Sequence, residues 1–252
     1  SVPGFVCKYN KFINNYIGVA VGTPFDENQR GIEIQRGELW GNEFYTLGEL
    51  PPPYPGQYYY PSWSSSVDEV AIDQGYAAIY LSGLTGLNVG YVGATEKERN
   101  SIHDMRNGVI LRHTMGDVYG TDFSSFEGGA PDHLNTDQLD FNQLAIHAFR
   151  SSTRIEDNTV DDVIRGFWSH ESYLHVFDNE LSISTGTGSP LFRSRGIYLF
   201  RPEKSTIIDN TITNGNWGIS IMEAQSPYTI LGNILNRTYS GFIPGNLGIF
   251  VR

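Results

Sequence analysis

The stretch STIIDNTITNGNWGISI (205–221) decides the reading of this chain. It contains two short apolar-alternating runs, Ile207 to Ile212 around Asn210 and Gly218 to Ile221, and the glycine stands eight residues after the asparagine. The same phrase recurs as TRIEDNTVDDVIRGFWS (153–169), where Asn158 and Gly166 keep the same spacing. Working outward, apolar-x-x-Asn-x-apolar returns around Asn10, Asn42, Asn179 and Asn233, and around Thr121 with threonine for asparagine. Gly-apolar-x-apolar returns at Gly18, Gly31, Gly108, Gly196 and Gly248, with Ala78 and Ala145 replacing glycine in two further copies. Random alternation does not hold two phases together over such a distance.

A repeat near 22 residues built from two or three short strands cannot bury its apolar face alone, whereas stacked turns make one continuous core. The expected fold is therefore all-β: a right-handed, single-stranded parallel β-helix of eight or nine turns. Asparagine at a sharp corner tolerates left-handed backbone and can bond the asparagine of the next turn. Glycine before a strand permits the bend into it. The quoted phrases resemble the parallel β-helix repeats of polysaccharide lyases, epimerases and large surface proteins. CKYNKFINNYIGVAV (7–21) and SRGIYLFRPEKSTIIDNTI (194–212) are similar in style to repeat-bearing surface and secreted proteins of Bacteroidetes exported by the type IX system. That resemblance implies an extracellular or cell-surface location. The start at Ser1 rather than Met, and the stop at Arg252 directly after the apolar run 247–251, read as a segment of a longer protein or a product of processing.

Composition narrows the function classes. Seventeen Lys and Arg against 28 Asp and Glu leave a net charge of −11. With no basic cluster, nucleic acid is not an expected partner, and no apolar run is long enough to insert in a membrane. The single Cys7 excludes a disulfide framework within the chain.

Residues 1–252 read as one β-helix domain, interrupted by a Pro- and Tyr-rich insertion at about 46–75. That insertion, and others after Thr121, Asn179 and Asn233, all leave the repeat at the same corner, which lines them along one edge. Tyr58, Tyr59 and Trp63 in the first of them are candidates for binding or for packing on the flank. The residue two after each glycine points outward, which gives a column of Ala20, Glu33, Tyr80, Ile110, His147, Trp168, Tyr198, Ser220 and Phe250. Tyr80, His147, Trp168 and Tyr198 make much of this column aromatic, a stripe suited to stacking on sugar rings or to burial under a loop or partner.

Catalytic candidates are weaker. A lyase on this fold needs a base beside a uronate carboxylate, with Ca²⁺ as a common helper. Arg165 and Arg195 share one column before their glycines, yet arginine has too high a pKa to act as a base unaided. Asp137, followed by Asp161 and Asp162, superficially matches the aspartates of polygalacturonase-type hydrolases, but the flanking Gly-His-Gly and Arg-Ile-Lys elements are missing. Asp132, Asp137 and Asp140 could hold Ca²⁺ from one loop, though their spacing matches no calcium-loop pattern. No metal ligand set is expected.

The sequence thus favours a non-catalytic, extracellular stalk or adhesin-like module. Its partner would be a glycan or another surface protein, within a larger surface assembly. A lyase or glycoside hydrolase acting on an acidic polysaccharide is the alternative.

Overall fold

A computed structural model of the chain describes residues 4–15, 17–22, 32–34, 37–46, 75–124, 144–183, 194–236 and 247–252. Within them the chain coils as a right-handed parallel β-helix. Its first long sheet runs through Lys11–Ile13, Glu43–Tyr45, Asn100–His103, Thr121–Ser124, Thr159–Val163, Glu180–Ile183, Thr211–Thr213 and Ile234–Asn236. The second runs through Ile17–Gly22, Gly75–Ser82, Met105–Arg112, Leu144–Phe149, Arg165–His170, Arg195–Phe200, Trp217–Met222 and Leu247–Val251. A third face joins Val118–Tyr119, Ser152–Glu156, Tyr173–Phe177, Thr206–Ile208 and Thr229–Leu231. Bridges through Leu39, Val89 and Val118 extend it toward the paired strands Phe5–Lys8 and Gly37–Trp40. Each long sheet has eight strands, in line with the expected number of turns. The segments 47–74, 125–143, 184–193 and 237–246 each connect a strand of the first sheet to one of the second, so all four leave at one edge.

Like residues stack in columns because every turn repeats the same alternation. Phe44, Ile102, Phe123, Val160, Leu181 and Ile212 are buried from the first sheet. Ile79, Val109, Ile146, Phe167, Ile197 and Ile219 are buried from the second, and Leu39, Val89, Val118, Ile155, Val176 and Ile207 from the third. Each full burial of this kind is worth ~1.5–3 kcal/mol, and the contact is made only when the next turn is in place.

The asparagines form a rail inside one corner. The Asn42 Oδ1 accepts from the Asn10 N–H at 3.1 Å, and the Asn100 Oδ1 from the Asn42 N–H at 3.1 Å. The pattern resumes as Asn158 Oδ1 to Thr121 N–H (3.1 Å), Asn179 to Asn158 (3.0 Å), Asn210 to Asn179 (3.1 Å) and Asn233 to Asn210 (2.9 Å). The left-handed residue is not the asparagine, as the sequence had implied, but the one before it: Tyr9, Gly41, Gly120, Asp157, Asp178, Asp209 and Gly232 all have positive φ. That preceding residue makes the turn, which leaves the amide free to point inward along the stack.

The rail breaks once. Thr121 has no side-chain amide and sends its hydroxyl to the Tyr119 carbonyl at 3.0 Å, so no side-chain amide links Asn100 to Thr121. Arg99 crosses this gap on the outside. It donates from Nε to Asp122 at 2.8 Å and from Nη1 to Asp157 at 3.1 Å, and from Nη2 to the Asp157 carbonyl at 2.9 Å.

A second rail, which the sequence reading missed, lines the corner between the second and third sheets. Ser151 Oγ accepts from Thr114 N–H, Ser172 Oγ from Ser151 N–H and Ser205 Oγ from Leu174 N–H, each at 3.2 Å. Outside it, His113, Arg150, Glu171, Arg201 and Glu223 take positive φ in successive turns. There Arg150 pairs with Glu171 at 2.8 Å, Arg201 with Glu171 at 3.5 Å, and Arg201 with Glu223 at 2.9 Å.

The glycines of the second sheet have a steric reason rather than a conformational one. A Cβ on Gly166 would lie 2.4 Å from the Gly196 carbonyl oxygen and 2.4 Å from Leu181; on Gly108 it would lie 2.5 Å from the Ala145 oxygen. One copy in the sequence-derived column is misplaced. Glu33 pairs with Thr85 in a separate short ladder, and Ile17–Gly22 pairs directly with Gly75–Ser82. The Gly31 phrase mimics the pattern without occupying a place in that sheet.

Candidate functional site

The outer face of the second sheet carries the stripe. Ala20, Tyr80, Ile110, His147, Trp168, Tyr198, Ser220 and Phe250 are in register from turn to turn. The kink at each glycine adds a second column. Gly166 and Phe167 both turn toward the core, so Arg165 rises on the same side as Trp168, with its guanidinium 4.6 Å from the indole centre. Strict alternation hides this, because it assigns the residue before the glycine to the interior. Arg165, Arg195 and Trp217 follow one another in this added column.

The face divides in two. Toward its first turns Tyr80 is 4% exposed, Ile110 3% and His147 5%. Tyr80 packs with Ala77 and Ile110 in a small apolar cluster, so Tyr80 and His147 belong to packing and offer little to a ligand. From Trp168 onward the large side chains are half-buried. Trp168 and Tyr198 rings lie 4.4 Å apart, and Trp217 and Phe250 lie 5.0 Å apart. The Arg195 guanidinium sits among three rings, 4.4 Å from Tyr198, 4.5 Å from Trp217 and 5.6 Å from Trp168. His170 stacks parallel to Trp168 at 6.0 Å and meets Phe200 at 5.2 Å. Ser220, the small residue in register between Tyr198 and Phe250, is fully buried, with an Oγ that has no hydrogen-bond partner among the described residues.

The electrostatics follow from desolvation beside cations. Burial, with lesser contributions from His170 and Arg165, pushes the His147 pKa down to about 3. Burial also lowers His170, with Arg201 adding to the effect and Glu171 opposing it. Burial raises the Tyr198 hydroxyl, while Arg195 pulls it back. The result is a stripe of neutral rings with two guanidinium groups over their faces, an arrangement in which each cation–π contact is worth ~0.5–2 kcal/mol.

The catalytic candidates are not drawn together. Asp161 and Asp162 lie on Thr159–Val163 in the first sheet, whereas Arg165 and Arg195 lie on the second. Asp161 aligns with Ser124 and Ser182. Asp132, Asp137, Asp140, Tyr58, Tyr59 and Trp63 lie outside the described residues. A groove of about 410 Å³ opens at the serine corner, lined by Thr114, Met115, Arg150, Ser151, Glu171 and Tyr173 among others, and the Arg150–Glu171 pair spends charge within it.

The coil, its amide rail and the aromatic flank define a parallel β-helix repeat protein. The chain belongs to the NosD family, described as periplasmic copper-binding protein, whose pattern matches residues 62–246. No curated protein and no solved structure matches it.

The family description raises copper, and the described residues do not fit it. No three His, Cys, Asp or Glu side chains among them converge on a point. The His147 and His170 rings come to 6.0 Å, but Arg165 stands beside them, and a metal cation there would meet its charge. His175 is engaged by the Thr206 and Tyr173 hydroxyls, both at 2.5 Å, and His103 faces Asp104 at 3.1 Å.

Proposed function

We propose that this chain is a non-catalytic module that works outside the cytoplasm and binds glycan chains along the second sheet. The observation that carries this reading is the half-buried run Trp168–Tyr198–Trp217, with Arg165 and Arg195 against its ring faces. Flat rings stepped along a rigid sheet suit successive sugar rings, and the half-buried Arg195 guanidinium among them suits carboxylate or sulfate substituents, while Arg165, 3% exposed, supports the rings from beneath. The family's periplasmic description supports a location beyond the inner membrane. Among the described residues no helix is long and apolar enough to cross a membrane. The repeat style of 7–21 and 194–212 supports the further proposal of type IX export to the cell surface, where the module serves as a stalk or adhesin-like element.

Affinity electrophoresis against polygalacturonate, alginate, a sulfated glycan and a neutral xylan tests this. Retardation by the acidic polymers is expected, falling about tenfold in Trp168→Ala or Tyr198→Ala, since stacked aromatics dominate such contacts. Retardation by none of the four polymers would refute glycan binding and leave a protein partner as the reading to pursue. Release of unsaturated uronate that disappears in Arg165→Ala or Arg195→Ala would refute the non-catalytic assignment.

A further inference from the structure

The outer column at the edge of the third face carries a notch. Met115, Ser152 and Tyr173 are in register in three successive turns. Met115 is 60% exposed and Ser152 and Tyr173 are half-buried, whereas Thr153 and Leu174, the residues after them, point into the core. Ser152 is the small member of the column. Its short side chain leaves space between two larger ones, and all three line the groove of about 410 Å³ at the serine corner. Neighbouring turns lie ~4.8 Å apart, so Met115 and Tyr173 stand ~9.6 Å apart across Ser152. Two van der Waals contacts of ~3.5–4.0 Å fit in that distance. The notch therefore admits one flat ring, held between the Tyr173 ring and the Met115 thioether.

The rim of the notch is polar. Arg150 lies two residues before Ser152 in the same turn and lines the same groove. Its Nε is spent on Glu171 at 2.8 Å, and neither Nη has a partner among the described residues. Glu203 closes the groove from the turn after Tyr173. The step from Gly196 to Ile207 is eleven residues where that from Gly166 to Val176 is ten, and the extra residue pushes Glu203 outward. Its backbone N–H donates to the Ser172 carbonyl at 3.0 Å, which anchors it, and the residue is exposed. A guanidinium edge suits a carboxylate, and the Glu203 carboxylate and the Ser152 hydroxyl suit the hydroxyls of a ligand. An aromatic acid would satisfy Arg150 and the two walls but would offer Glu203 nothing to accept. A sugar acid satisfies all of them.

We propose that the Ser152 notch is a second binding site, separate from the stripe on the second sheet, and that it takes a single uronic acid residue presented as a chain end or side branch. None of its side chains belongs to the stripe, so binding here and binding along Trp168 and Tyr198 can fail independently.

Ligand-observed saturation-transfer NMR with galacturonate, galactose and benzoate tests it, with the far-ultraviolet spectrum as a check on folding. Galacturonate is expected to bind about tenfold more tightly than either galactose or benzoate, the size of effect that one charged hydrogen-bonded pair supplies. Ser152→Leu fills the notch from a solvent-facing position, and Arg150→Gln removes the charge while leaving the notch open. Each should weaken galacturonate by about tenfold, whereas Trp168→Ala, which weakens the stripe, should leave it unchanged. Absence of galacturonate binding, equal binding of galactose, a preference for benzoate, or full binding by either Ser152→Leu or Arg150→Gln would each overturn the proposal.

Discussion

Replacing Asn179 by alanine tests the amide rail where it is most complete. Its Oδ1 accepts from the Asn158 N–H at 3.0 Å and from the Asn158 Nδ2 at 2.9 Å. Its Nδ2 donates to the Ile155 carbonyl at 3.0 Å, the Phe177 carbonyl at 2.7 Å and Asn210 Oδ1 at 2.8 Å. The residue is 1% exposed, so water cannot replace these partners. Each bond contributes ~1 kcal/mol net, and a buried donor or acceptor left alone costs ~1–3 kcal/mol. The Asn158 N–H loses its acceptor and the Ile155 carbonyl one of its donors, so the total comes to about 3–5 kcal/mol. Asn233→Ala removes an amide that is itself partly exposed, with its Leu231 bond open to solvent, so water can take the place of the lost amide over Asn210 and the cost should be about 1–2 kcal/mol, less than at Asn179. Urea unfolding followed by tryptophan fluorescence reads the difference as a shift in midpoint, and hydrogen exchange at the Asn158 amide reads it locally. Equal losses at the two positions, or a loss under about 1 kcal/mol at Asn179, would show that the strands hold each turn without the rail.

Three further outcomes follow from particular side chains. Ser169 is fully buried, in register between Ala148 and Leu199, and its hydroxyl has no partner among the described residues, so Ser169→Ala should raise stability by up to ~1 kcal/mol in the same urea assay. Gly166→Ala would drive a methyl into the Gly196 carbonyl and should destabilise by about 2–3 kcal/mol, visible as a lowered melting temperature. His147 stays neutral in the folded protein down to about pH 3, whereas the unfolded chain takes up its proton near pH 6.5. Its contribution is therefore fully present above pH 6.5 and is lost as the pH falls from there toward 3, at about 1.4 kcal/mol per unit. His147→Gln should flatten the stability profile between pH 6.5 and 5, and an unchanged slope would contradict the burial argument.

Much of the coil was legible because its determinants are local and repeated. Asn158, Asn179, Asn210 and Asn233 keep a fixed offset from their flanking apolar pairs, and an inward amide must meet the next one up the stack. The hydroxyl rail was equally regular, with Thr114, Ser151 and Ser172 each six residues after Gly108, Ala145 and Gly166. It went unread because serine and threonine are common at solvated turns, and only the three-dimensional corner shows them turned inward. Glu33 was misassigned because Gly-Ile-Glu-Ile satisfies the alternation while its pairing depends on the partner strand Leu84–Thr85. The stripe was seen as one column because period-two reasoning cannot register the kink at glycine that brings Arg165 and Arg195 up beside the rings. Burial of Tyr80 and His147 was out of reach for the same kind of reason, since cover is a long-range property and the alternation of a strand is not.

The single interruption between Asn100 and Thr121 gives the coil a fault line. Elsewhere successive turns are riveted from within by amides that solvent ions cannot screen. Here a guanidinium reaching Asp122 and Asp157 from Arg99 takes the amide's place from outside, and the Thr114 hydroxyl, donating to the Leu81 carbonyl at 3.2 Å, spans the same plane from within. Part of the cohesion across this plane is therefore tunable by ionic strength, as it is at the serine corner, where Arg150, Glu171, Arg201 and Glu223 pair between turns. Under tension or heat this plane relies on the ladders of Met105–Arg112 with Gly75–Ser82 and of Asn100–His103 with Thr121–Ser124, with no amide to share the load.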